Sequence, residues 1–215
     1  MEKITVIKCV RKGKFFLIET DSSDSAVKMH MEIVLFYGIK KQSEFDSVKW
    51  QTILEENSMK LARNYALNLL TASFKTEKEI RKKLKTKKFS AAVIEKLIEE
   101  LKNLALINDK QFAEDYTKDL IRRGFGKKAV RFKLKQKGIT DNIIENMIEK
   151  CCDSRTEAEA AETVFNKKYR QLQKTEKDHF KRREKMYRFL CSKGFSAEII
   201  SDLMSSMRRD ESDFC

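Results

Sequence analysis

Glu79–Glu100 reads EIRKKLKTKKFSAAVIEKLIEE, Ala129–Lys150 reads AVRFKLKQKGITDNIIENMIEK, and Lys185–Ser206 reads KMYRFLCSKGFSAEIISDLMSS. The three segments align without a gap. Ile80, Val130 and Met186 share one position, followed four residues later by Leu84, Leu134 and Leu190. Phe89, Ile139 and Phe195 come next, then the cap-forming Ser90, Thr140 and Ser196, then Ile94, Ile144 and Ile200, with Leu97, Met147 and Leu203 closing the register. Apolar residues four apart on either side of a polar turn describe two amphipathic helices. The turn follows Lys87, Lys137 and Lys193, and its next position is Lys88, Gly138 or Gly194. A further helix precedes each pair, at about 65–72, 109–122 and 157–169. Asn108-x-x-Gln111 and Thr76-x-x-Glu79 fit capping boxes at helix starts. Three helices per unit, repeated at 50 and then 56 residues, cannot each bury their own apolar face. They stack on their neighbours, and the expected architecture is an elongated, curved array of tandem three-helix repeats.

Composition agrees with a mainly α chain. It has no proline, six glycines and 37% charged residues in 215, so helix breakers are scarce. An all-β sandwich with proline-rich turns and a long proline-rich linker are both excluded. Only the first 30 residues depart from the helical period. Ile4-Thr5-Val6 and Phe15–Thr20 alternate about Lys12-Gly13-Lys14, reading as a β-hairpin, with a turn at 21–25 and a third short strand at 26–29. Ile33, Val34 and Tyr37 then share a helix face that ends at Gly38. Ser43 caps a next helix burying Phe45, Val48 and Trp50, and another helix runs from about Ser58 to Ala72. The expected organisation is therefore an N-terminal β-hairpin/helix unit at 1–57 and repeats at 58–107, 108–155 and 156–215.

Charge narrows the function. The chain carries +13 overall, but residues 1–57 are neutral, 58–155 carry 24 basic against 13 acidic groups, and 156–215 carry 13 against 11. A middle segment this short of acids has a polyanion as its natural partner, with a phosphate backbone the foremost candidate. Five cysteines without a C-x-x-C spacing and two isolated histidines, His30 and His179, offer no zinc set. Cys151–Cys152 reads as a pair of small core residues. No triad is suggested, and Gly124-Phe125-Gly126-Lys127-Lys128 lacks the earlier glycine, the Ser or Thr and the preceding strand of a phosphate loop. Lys8, Arg11, Lys12 and Lys14 interrupt any leader after Met1-Glu2, and no apolar run is long enough to span a membrane. The expectation is a cytoplasmic, non-enzymatic monomer with no cofactor and no metal.

The binding residues follow from the helical wheel. On the helix 127–137, Val130 and Leu134 face the core, so Lys128, Phe132 and Lys135 lie opposite with Arg131 beside them. Residues 122–137 hold eight basic groups and no acid, starting with Arg122 and Arg123. No i,i+4 partner within the run balances them. Equivalent positions in the first repeat are Lys78, Arg81, Lys82 and Lys85. In the third they are Glu184, Tyr187, Arg188 and Cys191, with Arg182 and Arg183 upstream, so the basic stripe weakens toward the C-terminus. Phe132 either stacks in a ligand groove or on an unpaired base, or packs on a neighbouring repeat.

Several stretches resemble the RecX family. Lys75-Thr76-Glu77-Lys78-Glu79-Ile80 is similar to the family's basic–Ser–x–x–Glu–Leu start of the first repeat. Ala105-Leu106-Ile107-Asn108-Asp109-Lys110-Gln111-Phe112-Ala113-Glu114-Asp115-Tyr116 resembles its Gly-Leu-Ile-Asp-Asp-x-x-Phe-Ala-x-x-Tyr signature. Arg123-Gly124-x-Gly126 with Val130, Leu134, Gly138 and Ile139 resembles its second repeat. Ala105 for Gly, Asn108 for Asp and Lys75-Thr76 for Arg-Ser depart at caps and turns, and the third repeat matches weakly in its first helix. The resemblance runs from about Leu61 to Met204. It implies a regulator that binds the RecA–DNA filament in its groove and inhibits the ATPase and strand exchange of RecA, a role in recombination, DNA repair and the SOS response. Single- or double-stranded DNA is implied as a further partner. The competing reading of the residues is a sequence-tolerant helical DNA-binding protein that acts without RecA.

Overall fold

Ile4-Thr5-Val6 opens β1 (Lys3–Lys12), which turns through Gly13 into β2 (Phe15–Thr20) and then β3 (Ser23–His30). The computed structural model describes residues 3–212; Met1, Glu2 and Cys215, named above, lie outside them. Contacts divide the chain into two compact units, one of 1–75 with 79–107, the other of 76–78 with 108–215.

In the first unit the sheet order is β3-β2-β1-β4, all antiparallel, and two of its features depart from the expectations above. The third strand starts at Ser23, so the turn shrinks to Asp21-Ser22. A fourth strand, β4 (Glu44–Asp46), sets Phe45 opposite Ile4 where a helix was expected. Val6, Ile18 and Met29 turn one face of the sheet into a core closed by Val34 of α1 (Met31–Phe36), Phe45, Trp50 and Ile53.

The cap of the next helix is Asp46 rather than Ser43: its Oδ1 accepts from the Lys49 N–H at 2.8 Å. One helix, α2 (Ser47–Ala72), replaces the two expected, and Val48 on it is exposed instead of buried. The reason is Asn57. A mid-helix Asn usually bonds local backbone and weakens the helix. Here the side chain is buried against β3, accepting from the His30 N–H at 2.8 Å and donating to the Lys28 carbonyl at 3.0 Å. The helix runs on, so Trp50 and Ile53 serve the sheet core while Ala62 and Ala66 serve the first repeat.

Each repeat has its own core, at the positions the alignment picks out. Ile80 and Leu84 of α3 (Glu77–Thr86) meet Ile94, Leu97 and Leu101 of α4 (Ala91–Asn103). The second repeat is α5 (Asp109–Arg122), α6 (Lys127–Lys137) and α7 (Asp141–Cys151), closed by Leu120, Val130, Leu134, Ile144 and Met147. The third is α8 (Ser154–Thr175), α9 (His179–Lys193) and α10 (Ala197–Ser212), with Phe165, Met186, Leu190, Phe195 and Ile200 inside. Ser90, Asn108 and Ser196 cap as expected. Thr140 occupies the cap position but its hydroxyl makes no capping bond. The Thr76 hydroxyl donates to the Lys137 carbonyl at 2.7 Å, at the end of α6. Cys152 is packed in the second core, where burial pushes its thiol up to about 11, so the thiolate that redox chemistry needs is suppressed.

Inside the second unit two helix ends meet. The Gly126 and Lys128 N–H groups donate to the Lys193 and Gly194 carbonyls at 2.9 and 3.1 Å. A β-carbon on Gly126 would sit 2.6 Å from the Gly194 oxygen, and Gly194 itself is left-handed at φ +77°. Gly126 has no side chain to cap α6, and the buried Glu157 of α8 does it instead, accepting from the Lys127 N–H at 3.0 Å. Gly126→Ala is expected to destabilise this unit by about 1–3 kcal/mol through backbone overlap. Gly13→Ala, with open space around it but a positive φ, should cost roughly 1 kcal/mol. Urea unfolding of both variants checks this, and equal losses would show that the close approach at Gly126 is not a constraint.

Candidate functional site

The sequence-predicted basic residues do not share one environment. Lys78 lays its methylenes over Gly138, and its ammonium donates to the Gln136 carbonyl at 3.4 Å, so it closes the end of α6. Arg81 is half-buried and paired with Glu95. Lys82 and Lys85 are exposed and form no ion pair among the described residues. Arg122 and Arg123 both reach Asp119, at 2.7 and 3.4 Å.

The run 122–137 is therefore less unbalanced than its sequence suggests. Its partners come from other helices: Arg131 pairs with Glu145 at 2.6 Å, Lys135 with Asp141 at 3.0 Å, and Lys127 with Glu157 at 3.7 Å. The expectation that no partner balances these groups looked only along one helix. Exposed pairs of this kind contribute about 0–1 kcal/mol each, so Arg131 and Lys135 exchange partners at little cost. Phe132 stands 62% exposed between them.

Lys128 is exposed and unpaired among the described residues, and it faces a groove of about 790 Å³ along α9 and α10. Arg183 lines the same groove, so the structure brings together one predicted residue from the second repeat and one from the third. Phe180, 81% exposed, and Tyr187, 53% exposed, stand along it over Phe195, Ile200 and Met204. Phe180 escaped the sequence reading because it lies upstream of the aligned segment. Tyr187 is at the position of Arg131, where a search for cations passes over a ring. Arg188 points elsewhere, to Glu184 at 2.6 Å, and Arg182 is half-buried. Glu184 also lines the groove, its carboxylate held by Arg188, so two rings and two cations are left that can stack a planar group and hold an anion beside it. Among the described residues no helix is long and apolar enough to cross a membrane, and no cluster of three or more His, Cys, Asp or Glu is placed to hold a metal ion.

These features define a class: a tandem three-helix-repeat protein with a basic and aromatic surface groove. The three successive family models of RecX match it, the first three-helix domain at 62–101, the second at 108–148 and the third at 156–204. The chain belongs to the RecX family of regulatory proteins. It is 32% identical to the regulatory protein RecX of Clostridium botulinum strain Alaska E43 over 95% of both chains, and 31% identical to that of Clostridium beijerinckii over the full length of both. The crystal structure of a regulatory protein RecX superposes with a TM-score of 0.66 at 22% identity, over 94% of this chain and 99% of the other. That of RecX from Lactobacillus salivarius gives 0.61 at 28% identity, over 71% and 98%.

One electrostatic tie joins α5 and α7 within the second repeat. Glu114 of α5 accepts from Lys118 at 2.7 Å and from Lys150 of α7 at 3.0 Å, and these bonds pull its carboxyl down to about 2. The folded value lies below the ordinary one, so the stabilisation is complete above about pH 4.5 and is lost as pH falls toward 2. Glu114→Gln should therefore lower the urea midpoint at neutral pH, and the gap from wild type should narrow below about pH 4.5 and close toward pH 2. A gap that is constant with pH would mean the tie is not electrostatic.

Proposed function

We propose that this chain binds the RecA–DNA filament and restrains its ATP hydrolysis and strand exchange, acting in recombination, DNA repair and the SOS response. It works in the cytoplasm as a monomer, without a cofactor and without catalysis of its own. The observation that carries this reading is the groove of α9 and α10, in which Lys128 and Arg183, without an ion-pair partner among the described residues, flank exposed Phe180 and Tyr187. A filament offers both ligands such a groove takes, phosphates for the cations and unpaired bases or side-chain apolar groups for the rings. Membership of a family whose relatives are named regulatory proteins supports it. Lys82, Lys85, Phe132, Arg131 and Lys135 supply further exposed contacts.

A second reading, DNA binding without RecA, is favoured by the exposed Phe132 between two lightly held cations, because stacking and phosphate contact need no protein partner. The two part in one experiment. DNA-stimulated ATP hydrolysis by RecA on preformed filaments is titrated with this protein, with and without excess free DNA. Inhibition that survives the excess supports filament binding, whereas inhibition relieved by it leaves the second reading. The Lys128→Glu/Arg183→Glu variant should lose inhibition at least about tenfold, equivalent to about 1.4 kcal/mol, with unchanged helicity. Full inhibition by that variant would show that the groove is not the contact.

A further inference from the structure

Phe125 carries an uncommon load of positive charge. It follows the left-handed Gly124 at the end of α5 and is half-buried, with three cations gathered round its ring. The Lys193 ammonium stands 4.2 Å from the ring centroid, the Lys133 ammonium 4.7 Å and the Arg123 guanidinium 5.8 Å. They come from the ends of α5 and α9 and the middle of α6. Lys193 is fixed further by a bond to the Arg123 carbonyl at 3.2 Å.

Arg123 alone of the three has an acid, and it shares Asp119 with Arg122. Lys133 and Lys193 have no acidic partner among the described residues. A ring face offers each cation about 0.5–1 kcal/mol at an exposed site. That attraction does not remove the repulsion among three like charges near a half-buried ring. The repulsion is visible in Lys193, whose ammonium is held below the ordinary lysine value by burial first and then by Arg123 and Lys133. Three cations gathered round one ring, two of them without an acidic partner among the described residues, are a seat for an anion with several acceptor oxygens.

We propose that Arg123, Lys133 and Lys193 form a phosphate-binding seat over Phe125, separate from the α9–α10 groove, whose occupant is a phosphate group of a nucleic-acid backbone. The choice of source rests on the nucleic-acid part of the reading above; the seat itself rests on the cluster. Two of its cations belong to the second repeat and one to the third, so an occupied seat ties the repeats together. Binding to the folded form then stabilises that junction by mass action.

The test follows the side-chain resonances of Lys193 through a pH titration of the full chain. It is run alone, with a short single-stranded oligothymidine and with inorganic tripolyphosphate. An anion in the seat should raise the Lys193 titration midpoint by about one unit or more. A rise with the oligothymidine supports the proposal, and a rise with tripolyphosphate alone overturns the nucleic-acid source while keeping the phosphate chemistry. No rise with either probe overturns the seat. In a second measurement, Lys133→Gln/Lys193→Gln should reduce the log–log salt slope of oligothymidine binding by about 0.7, the value for one phosphate on a single strand. An unchanged slope overturns the backbone contact. Failure of the functional reading is distinguishable: RecA would then go uninhibited while Lys193 still responds to the strand.

Discussion

The first amides of a helix and the last carbonyls of another each lack an intrahelical partner, and in the second unit they satisfy one another. The Lys193 and Gly194 carbonyls at the end of α9 accept from Gly126 and Lys128 at the start of α6. The negative end of one helix dipole meets the positive end of another, which reinforces the bonds. The arrangement depends on missing side chains, since a β-carbon at Gly126 would run into the Gly194 oxygen. The α9–α10 groove and the cluster at Phe125 both hang on this junction. It sets Lys128 against the α9–α10 groove, and it brings Lys193 over Phe125.

Repeats built this way do not need strong individual cores. Each closes, among the described residues, on eight or nine buried residues, few of them aromatic, and both ends of α6 are completed by groups from elsewhere in the chain. Glu157 of the third repeat caps α6 of the second, and the Thr76 hydroxyl and Lys78 ammonium cover carbonyls at its other end. A helix end with protein partners exposes no backbone to water, and the side chains around it are held in place. Such rigid placement lets cations wait without counter-ions.

Much of the fold was legible because it is periodic. Apolar positions four apart gave every buried residue of α3, α6 and α9, and Asp109–Arg122 was bounded to the residue by Asn108 at its start. Legibility failed where a local signal had a distant explanation. The helix start expected at about Ser58 vanishes into one helix in which β3 partners Asn57, and Phe45 looks helical until Ile4 lies opposite. Lys88 adopts the left-handed turn (φ +62°) without the glycine that Gly138 and Gly194 provide, so the register rather than the residue type was the reliable sign. The site was half legible. The wheel separated core from surface correctly on α6, but the acids at 141, 145 and 157 that pair with its cations lie outside the run and cannot be seen within it.

The charge on α6 is therefore sorted by flank, and this sorting is what turns a basic helix into a selective surface. Val130 and Leu134 fix one side in the core. At 100° per residue, Arg131 falls on the flank toward α7, where Glu145 takes it, and Lys135 turns to Asp141 nearby. Lys133 falls on the other flank and lies over Phe125. Lys128 and Phe132 remain on the outer side, and Lys128 has no ion-pair partner among the described residues. A ligand that met α6 through charge alone would compete with α7 for Arg131 and Lys135, at a loss of surface pairs worth little. One that also stacks on a ring gains where α6 has nothing to give up, at Lys128 beside Tyr187 and Phe180. The geometry thus favours a ligand with both planar and anionic groups over a purely anionic one.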